Sequence, residues 1–159
     1  MQADKQREVY LGLRKIALQY KSSAEVCGVL MEMGLSKGEM TLVALDEGAV
    51  NLYTSSGGGY IGMGTHREPQ EASEELLQMA PAFLTYCEPV SGYPLPREGY
   101  TRFYLIARNG IFSAEESTEV LGSQKHPLSS LFQACHNLLS AIRVVADRKR
   151  AETPPRKPN

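Results

Sequence analysis

The chain has 159 residues, 42% of them apolar and 22% charged, the size and balance of one globular domain with a substantial core. A formal net charge of −1 excludes a protein that binds nucleic acid by neutralising many phosphates, since that needs a surplus of Lys and Arg. The longest apolar runs fall well short of the roughly 18 residues that argue a membrane span, so no membrane partner is expected.

The opening MQADKQREVYLGLRKIALQY places charge in every turn and lacks the unbroken apolar stretch of a signal peptide. Val9, Leu13, Ile16, Ala17 and Tyr20 share one apolar helical face, which predicts a helix over 4–20. VCGVLMEM (26–33) is β-rich and almost wholly apolar, as in a strand at the middle of a sheet. MTLVAL (40–45) and AVNLYTS (49–55) follow after short turns at 36–38 and 46–48, which predicts an antiparallel meander.

A helical period returns near Glu68 and Pro69, with Leu76, Met79, Ala80, Phe83 and Cys87 as its apolar stripe; Pro81 should kink or end it. EPVSGYPLPREG (88–99) reads as a long surface connection. TRFYLIA (101–107) and IFSAEES (111–117) flank Asn109-Gly110, a signal for a type I′ hairpin. In the last helix Leu128, Leu131, Phe132, Cys135, Leu138, Leu139, Ile142 and Val145 recur at spacings of three and four.

The predicted order is therefore α-βββ-α-ββ-α: an α+β fold with an antiparallel five-stranded sheet and three helices. Its element count is that of a profilin-like or roadblock-like layout, by analogy. One domain over 1–147 is expected, followed by a basic, disordered tail over 148–159. Three widely spaced cysteines, Cys27, Cys87 and Cys135, suit buried thiols in a reducing compartment, so the expected location is cytoplasmic.

The unusual segment is LYTSSGGGYIGMGTH (52–66), with five glycines between Gly57 and Gly64. It satisfies G-x-G-x-x-G, but the helix begins too late and no βαβ unit surrounds it, so a dinucleotide site is not expected. A Walker loop is excluded, because no Lys lies between Lys37 and Lys125. An anion nest using Ser56, Gly57, Gly58, Gly59, His66 and Arg67 is the candidate ligand site, although Glu68 stands where the anion would approach. The competing reading is structural: left-handed or extended backbone and close packing over bare Cα atoms, with Tyr60, Ile61 and Met63 as anchors.

This segment, together with HPLSSLF (126–132), resembles a family of small bacterial proteins that carry a strand, a triple glycine, a further G-x-G and a helix. The resemblance implies a bacterial α+β protein and carries over no activity and no catalytic residue.

Other chemistry is sparse. A Ser55 or Ser56 pair with His66 lacks a nucleophile elbow and an orienting acid. Cys135 and His136 point about 100° apart on a helix and cannot face one ion. Glu115, Glu116 and Glu119 read as a solvated acidic edge, His126-Pro127 as a helix start, and no zinc spacing is present. Tyr93, Leu95 and Tyr100, among prolines, are candidate protein contacts. The sequence thus points to a non-enzymatic binding or assembly module, a homodimer or the partner of another protein, with no catalytic residue, metal or cofactor expected. The alternative is a small-molecule or phosphate-binding protein, or an enzyme, with its site on 55–67.

Overall fold

A computed structural model describes residues 2–152. One antiparallel sheet runs through the molecule in the order β4-β3-β2-β1-β6-β7-β5. Its strands are β1 (Val26–Leu35), β2 (Gly38–Leu45), β3 (Val50–Thr54), β4 (Gly59–Tyr60), β5 (Glu88–Val90), β6 (Tyr100–Ala107) and β7 (Gly110–Ser117). The helices are α1 (Gln2–Leu18), α2 (Arg67–Met79), the short α3 (Thr118–Gly122) and α4 (Ser129–Glu152). No described helix is long and apolar enough to cross a membrane.

The α+β class and the antiparallel sheet are as expected, but among the described residues seven strands replace five and four helices replace three. The additional strands are short edges, two residues in β4 and three in β5. They arise in the glycine cluster and in the proline-rich connection, where composition conceals strand pairing. The additional helix is a five-residue turn capped by the Ser117 hydroxyl, which accepts from the Val120 N–H.

Alternation along the strands sorts side chains to two faces. Val29, Met31, Leu42, Phe103 and Leu105 pack beneath α2 and α4, whose stripes contribute Leu76, Leu131, Cys135, Leu138 and Ile142. Leu30, Val43, Tyr53, Tyr104 and Ile106 face the other way, towards α1. The two long helices α2 and α4, with Leu121 of α3, thus cover one face, while α1 lies over the other.

Local differences have local causes. The α2 helix begins at Arg67 and ends at Met79, and Pro81 falls in the 3₁₀ turns of Ala80–Tyr86 that follow. The second hairpin forms, but its turn is Arg108-Asn109, closed by the pairing of Ala107 with Gly110. Neither turn residue has positive φ, which a type I′ turn requires of both; the positive φ, 142°, falls on Gly110. The last helix continues through 148–152, and the remainder of the expected tail, 153–159, lies outside the described residues.

The largest departure concerns α1. Of the apolar face predicted there, Ala17 is buried and Leu13 and Tyr20 are half-buried, whereas Val9 is 62% and Ile16 67% exposed. The face turned to the sheet carries Tyr10, Arg14, Ala17 and Leu18 instead. Apolar residues therefore occupy two sides of this helix, and the fold as it stands buries one of them.

Candidate functional site

The glycines of 57–59 form the tip of the β3–β4 hairpin. All three have positive φ, 96°, 89° and 135°. Thr54 ties the turn together: its N–H donates to the Gly58 carbonyl at 3.3 Å and its hydroxyl to the Gly57 carbonyl at 2.5 Å. A Cβ on Gly59 would stand 2.0 Å from the Leu52 carbonyl oxygen, and one on Gly57 would stand 2.8 Å from the Gln6 side chain of α1. The cluster is therefore a place where strand meets strand and helix meets turn over bare Cα atoms. The α2 helix begins only after a further 3₁₀ turn, Met63–Thr65, so its N-terminal amides do not belong to the glycine hairpin.

Between this hairpin and α1 lies a recess of about 460 Å³, lined by Val9, Tyr10, Leu13, Tyr53, Gly58 and Ile61 among others. A second recess of about 310 Å³ continues along the same helix to Ile16, Tyr20 and Ala49, and shares Leu13 and Tyr53 with the first. Together they make an apolar groove along α1 on its β3 side. Its rim is apolar too: besides Val9 and Ile16, Ile61 is 70% exposed. The ends differ in charge. Lys5 lines one end, and at the other the Tyr20 hydroxyl donates at 2.5 Å to Asp46, next to Glu47.

The predicted ligand residues are divided between two places. Gly57, Gly58 and Gly59 form one wall of the groove, whereas His66 and Arg67 line a separate cleft with Glu68, Arg148 and Lys149. In that cleft Arg67 pairs with Glu71 at 3.0 Å and Arg148 with Glu68 at 2.7 Å. The Arg148 hydrogen bond holds the Glu68 carboxyl below its ordinary pKa, so negative charge occupies the first turn of α2. Ser56 is exposed at the hairpin, and Ser55, which is buried, accepts from the Glu39 N–H at 2.8 Å. No serine–His66 hydrogen bond occurs among the described residues.

Tyr93, Leu95 and Tyr100 have roles inside the fold. The Tyr93 ring meets Tyr104 edge-on at 5.9 Å, Leu95 packs against the α1-side core, and Tyr100 lies beneath the Arg97 guanidinium at 3.9 Å. Their connection covers the sheet on the side of α1 away from the groove. Its anchor is a buried polar network that the sequence reading missed. Arg14 binds Glu32 in bidentate fashion, Nε to Oε2 at 2.6 Å and Nη2 to Oε1 at 2.8 Å, and also donates to the Tyr93 carbonyl at 2.7 Å. Thr41 donates to Glu32 at 2.7 Å, which leaves Tyr10 as the donor in its 2.6 Å bond to Thr41. Tyr104 donates to the Pro94 carbonyl at 2.5 Å.

Burial opposes the charge on Arg14, but the Glu32 carboxylate outweighs it and the guanidinium pKa rises. Burial, and then the Glu32 charge, push the Tyr104 hydroxyl up to about 12 and raise Tyr10 as well. The signal was present in the sequence: Glu32 is the single charge in an otherwise apolar strand, and a buried carboxylate requires a cationic partner.

Most of the other ionisable groups near these sites are engaged, an exception among the described residues being His136, whose buried Nε2 has no hydrogen-bond partner and whose ring packs on Phe132 at 4.2 Å. Glu115 is held by Arg97 at 3.1 Å and Arg102 at 3.0 Å, and Glu116 faces His126 at 3.2 Å. His126 Nδ1 accepts from the Leu128 N–H at 3.1 Å, just ahead of α4. Cys135 is fully buried, and burial lifts the Cys87 thiol to about 11, which disfavours the reactive thiolate. No group of three or more His, Cys, Asp or Glu that could hold a metal occurs among the described residues.

Comparison with known proteins adds no relative: no protein-family model, no curated protein and no solved structure matches the chain. The likeness of 52–66 and 126–132 to a bacterial family therefore carries no functional argument, and the profilin-like layout stays an analogy of element count.

Proposed function

We propose that this chain is a non-enzymatic binding module whose binding surface is the apolar groove between α1 and the glycine hairpin. One observation carries the reading: Val9, Ile16 and Ile61 are each more than 60% exposed and border two adjoining apolar recesses that share Leu13 and Tyr53. Scattered exposed apolar side chains are ordinary, whereas a contiguous apolar patch bordered by polar residues marks an interaction surface. The glycines serve this surface by bringing the hairpin close to α1. The polar groups best suited to chemistry, Arg14, Glu32 and Tyr10, are committed to one another beneath α1.

The alternative, a phosphate or nucleotide site on 55–67, is separable by experiment. Titrating the dilute chain with the apolar fluorophore 8-anilinonaphthalene-1-sulfonate should give saturable uptake, and Ile61→Glu should lower it without changing the circular dichroism spectrum. Inorganic phosphate and ATP should leave the melting temperature unchanged, whereas a real site at saturation shifts it by several degrees. A phosphate-dependent shift that His66→Ala removes would overturn the reading. So would absence of dye uptake by a chain that light scattering shows to be monomeric.

A further inference from the structure

Resting on that reading, the geometry points to the occupant of the groove: a second copy of this chain, seated by antiparallel packing of α1 against its counterpart across a two-fold axis. The groove is lined by α1 residues from Gln2 to Ala17, a length of about 22 Å at 1.5 Å per residue, so it accommodates a helix of nearly the length of α1 itself. The residues needed to fill it stand beside it. Val9 and Ile16 project outwards from α1, adjoining the recess that would receive the same residues of the other copy. A two-fold interface requires this of one patch: it must be both ridge and groove.

The pattern along the helix is symmetric in the same sense. Val9 and Ile16 are equidistant from a point between Gly12 and Leu13, so antiparallel packing about that point sets Val9 against the partner's Ile16. Lys5 stands as far before the point as Tyr20 stands beyond it. Antiparallel pairing therefore brings Lys5 to the end of the groove where Tyr20 holds Asp46 beside Glu47. Parallel pairing would set Lys5 against the partner's Lys5. Charge complementarity selects the antiparallel register, twice over by symmetry.

Gly12 fits the same arrangement. A glycine within a helix costs about 1 kcal/mol relative to Ala. Nothing in the chain lies within 4 Å of the position its Cβ would take, so the monomer does not require it. At the crossing point of two helices, a bare Cα allows the axes to approach closely. A foreign helix could fill the groove, but it would give no reason for Lys5 and the Asp46–Glu47 turn to stand at opposite ends of it.

Sedimentation equilibrium and light scattering on the full chain test the arrangement. The expected mass is twice the 17.5 kDa of the chain, with dye uptake falling as the dimer forms. Ile16→Glu should yield a folded monomer, because that side chain is 67% exposed and contributes little to the protomer core. Lys5→Glu and Glu47→Lys should each weaken association about tenfold, and the two combined in one chain should restore it. Lys5 and Glu47 stand at opposite ends of the groove, so the restored contact must cross between chains. A dimer that survives Ile16→Glu, or single charge variants that the double variant fails to rescue, overturns the arrangement. A monomer at every concentration that still takes up dye in an Ile61-dependent way overturns self-association and leaves the binding reading standing. A monomer without dye uptake overturns both.

Discussion

Arg14 and Glu32 illustrate how single residues decide the interior. A buried carboxylate and guanidinium each lose hydration on folding, and their bidentate contact together with Thr41 and the Tyr93 carbonyl offsets that loss. Such a network specifies position: it fixes the rotation of α1 over the sheet and holds the 91–97 connection against it. Removing one partner should therefore be worse than removing both. Arg14→Met should cost about 3–5 kcal/mol in urea denaturation, because it strands a buried carboxylate. Adding Glu32→Leu should bring stability back towards wild type; a double variant less stable than Arg14→Met would show that the ion pair is not the source of the loss. The pair was partly legible in advance, since a lone glutamate amid Val, Leu and Met demands a counter-charge. Which of the arginines supplies it was not, because Arg14 reads as part of the polar face of an amphipathic helix.

At the scale of elements, the glycine hairpin and α1 depend on each other. Gly59 has φ of 135° and its missing Cβ makes way for the Leu52 carbonyl, whereas Gly58 has φ of 89° and open space around it. Gly59→Ala should cost about 2–3 kcal/mol and disrupt the pairing of β4 with β3. Gly58→Ala should cost about 1–2 kcal/mol, the backbone strain alone, with the pairing kept. Urea denaturation at one fixed concentration, combined with amide exchange at Tyr60, separates the two; equal losses would show that the clash with Leu52 is relieved elsewhere. Close approach was one of the two readings the glycines offered, but β4 was not foreseeable, because two residues among glycines carry no strand periodicity. The single stripe of α4 forms as expected for the converse reason, whereas only Leu76 and Met79 of the stripe expected for α2 lie in that helix, the rest falling in the 3₁₀ turns and the residue after them. In α1 the apolar residues span two sides, and the predicted face straddles them: Ala17, Leu13 and Tyr20 pack towards the sheet, whereas Val9 and Ile16 stay exposed.

At the scale of the whole molecule, ionisable groups buried between the layers couple stability to pH. Burial lifts Tyr104 from 10.0 to about 12 and Cys87 from 9.0 to about 11, and raises Tyr10 and Cys135 as well. Each group binds its proton more tightly when folded. Its contribution is complete below the unfolded pKa and is lost as pH rises through the folded one. Melting temperature should therefore hold steady near neutrality and fall from about pH 9 upwards. Tyrosinate absorbance from Tyr10 and Tyr104 should appear together with the loss of secondary structure. Tyrosinate signal from all eight tyrosines at pH 10.5 in a chain with native circular dichroism would refute this account.

The sequence by itself determined the α+β class, the five principal strands, the two long single-faced helices and the lack of a surplus of positive charge. These follow from local periodicity and turn chemistry, which act over a few residues. Tertiary structure alone decided which side of α1 meets the sheet, that Arg14 reaches Glu32, that Gly57–Gly59 and His66–Arg67 serve different clefts, and that an apolar groove remains beside α1. Those outcomes depend on contacts between residues far apart in the chain, where burial and charge pairing choose among faces that the local pattern leaves equivalent.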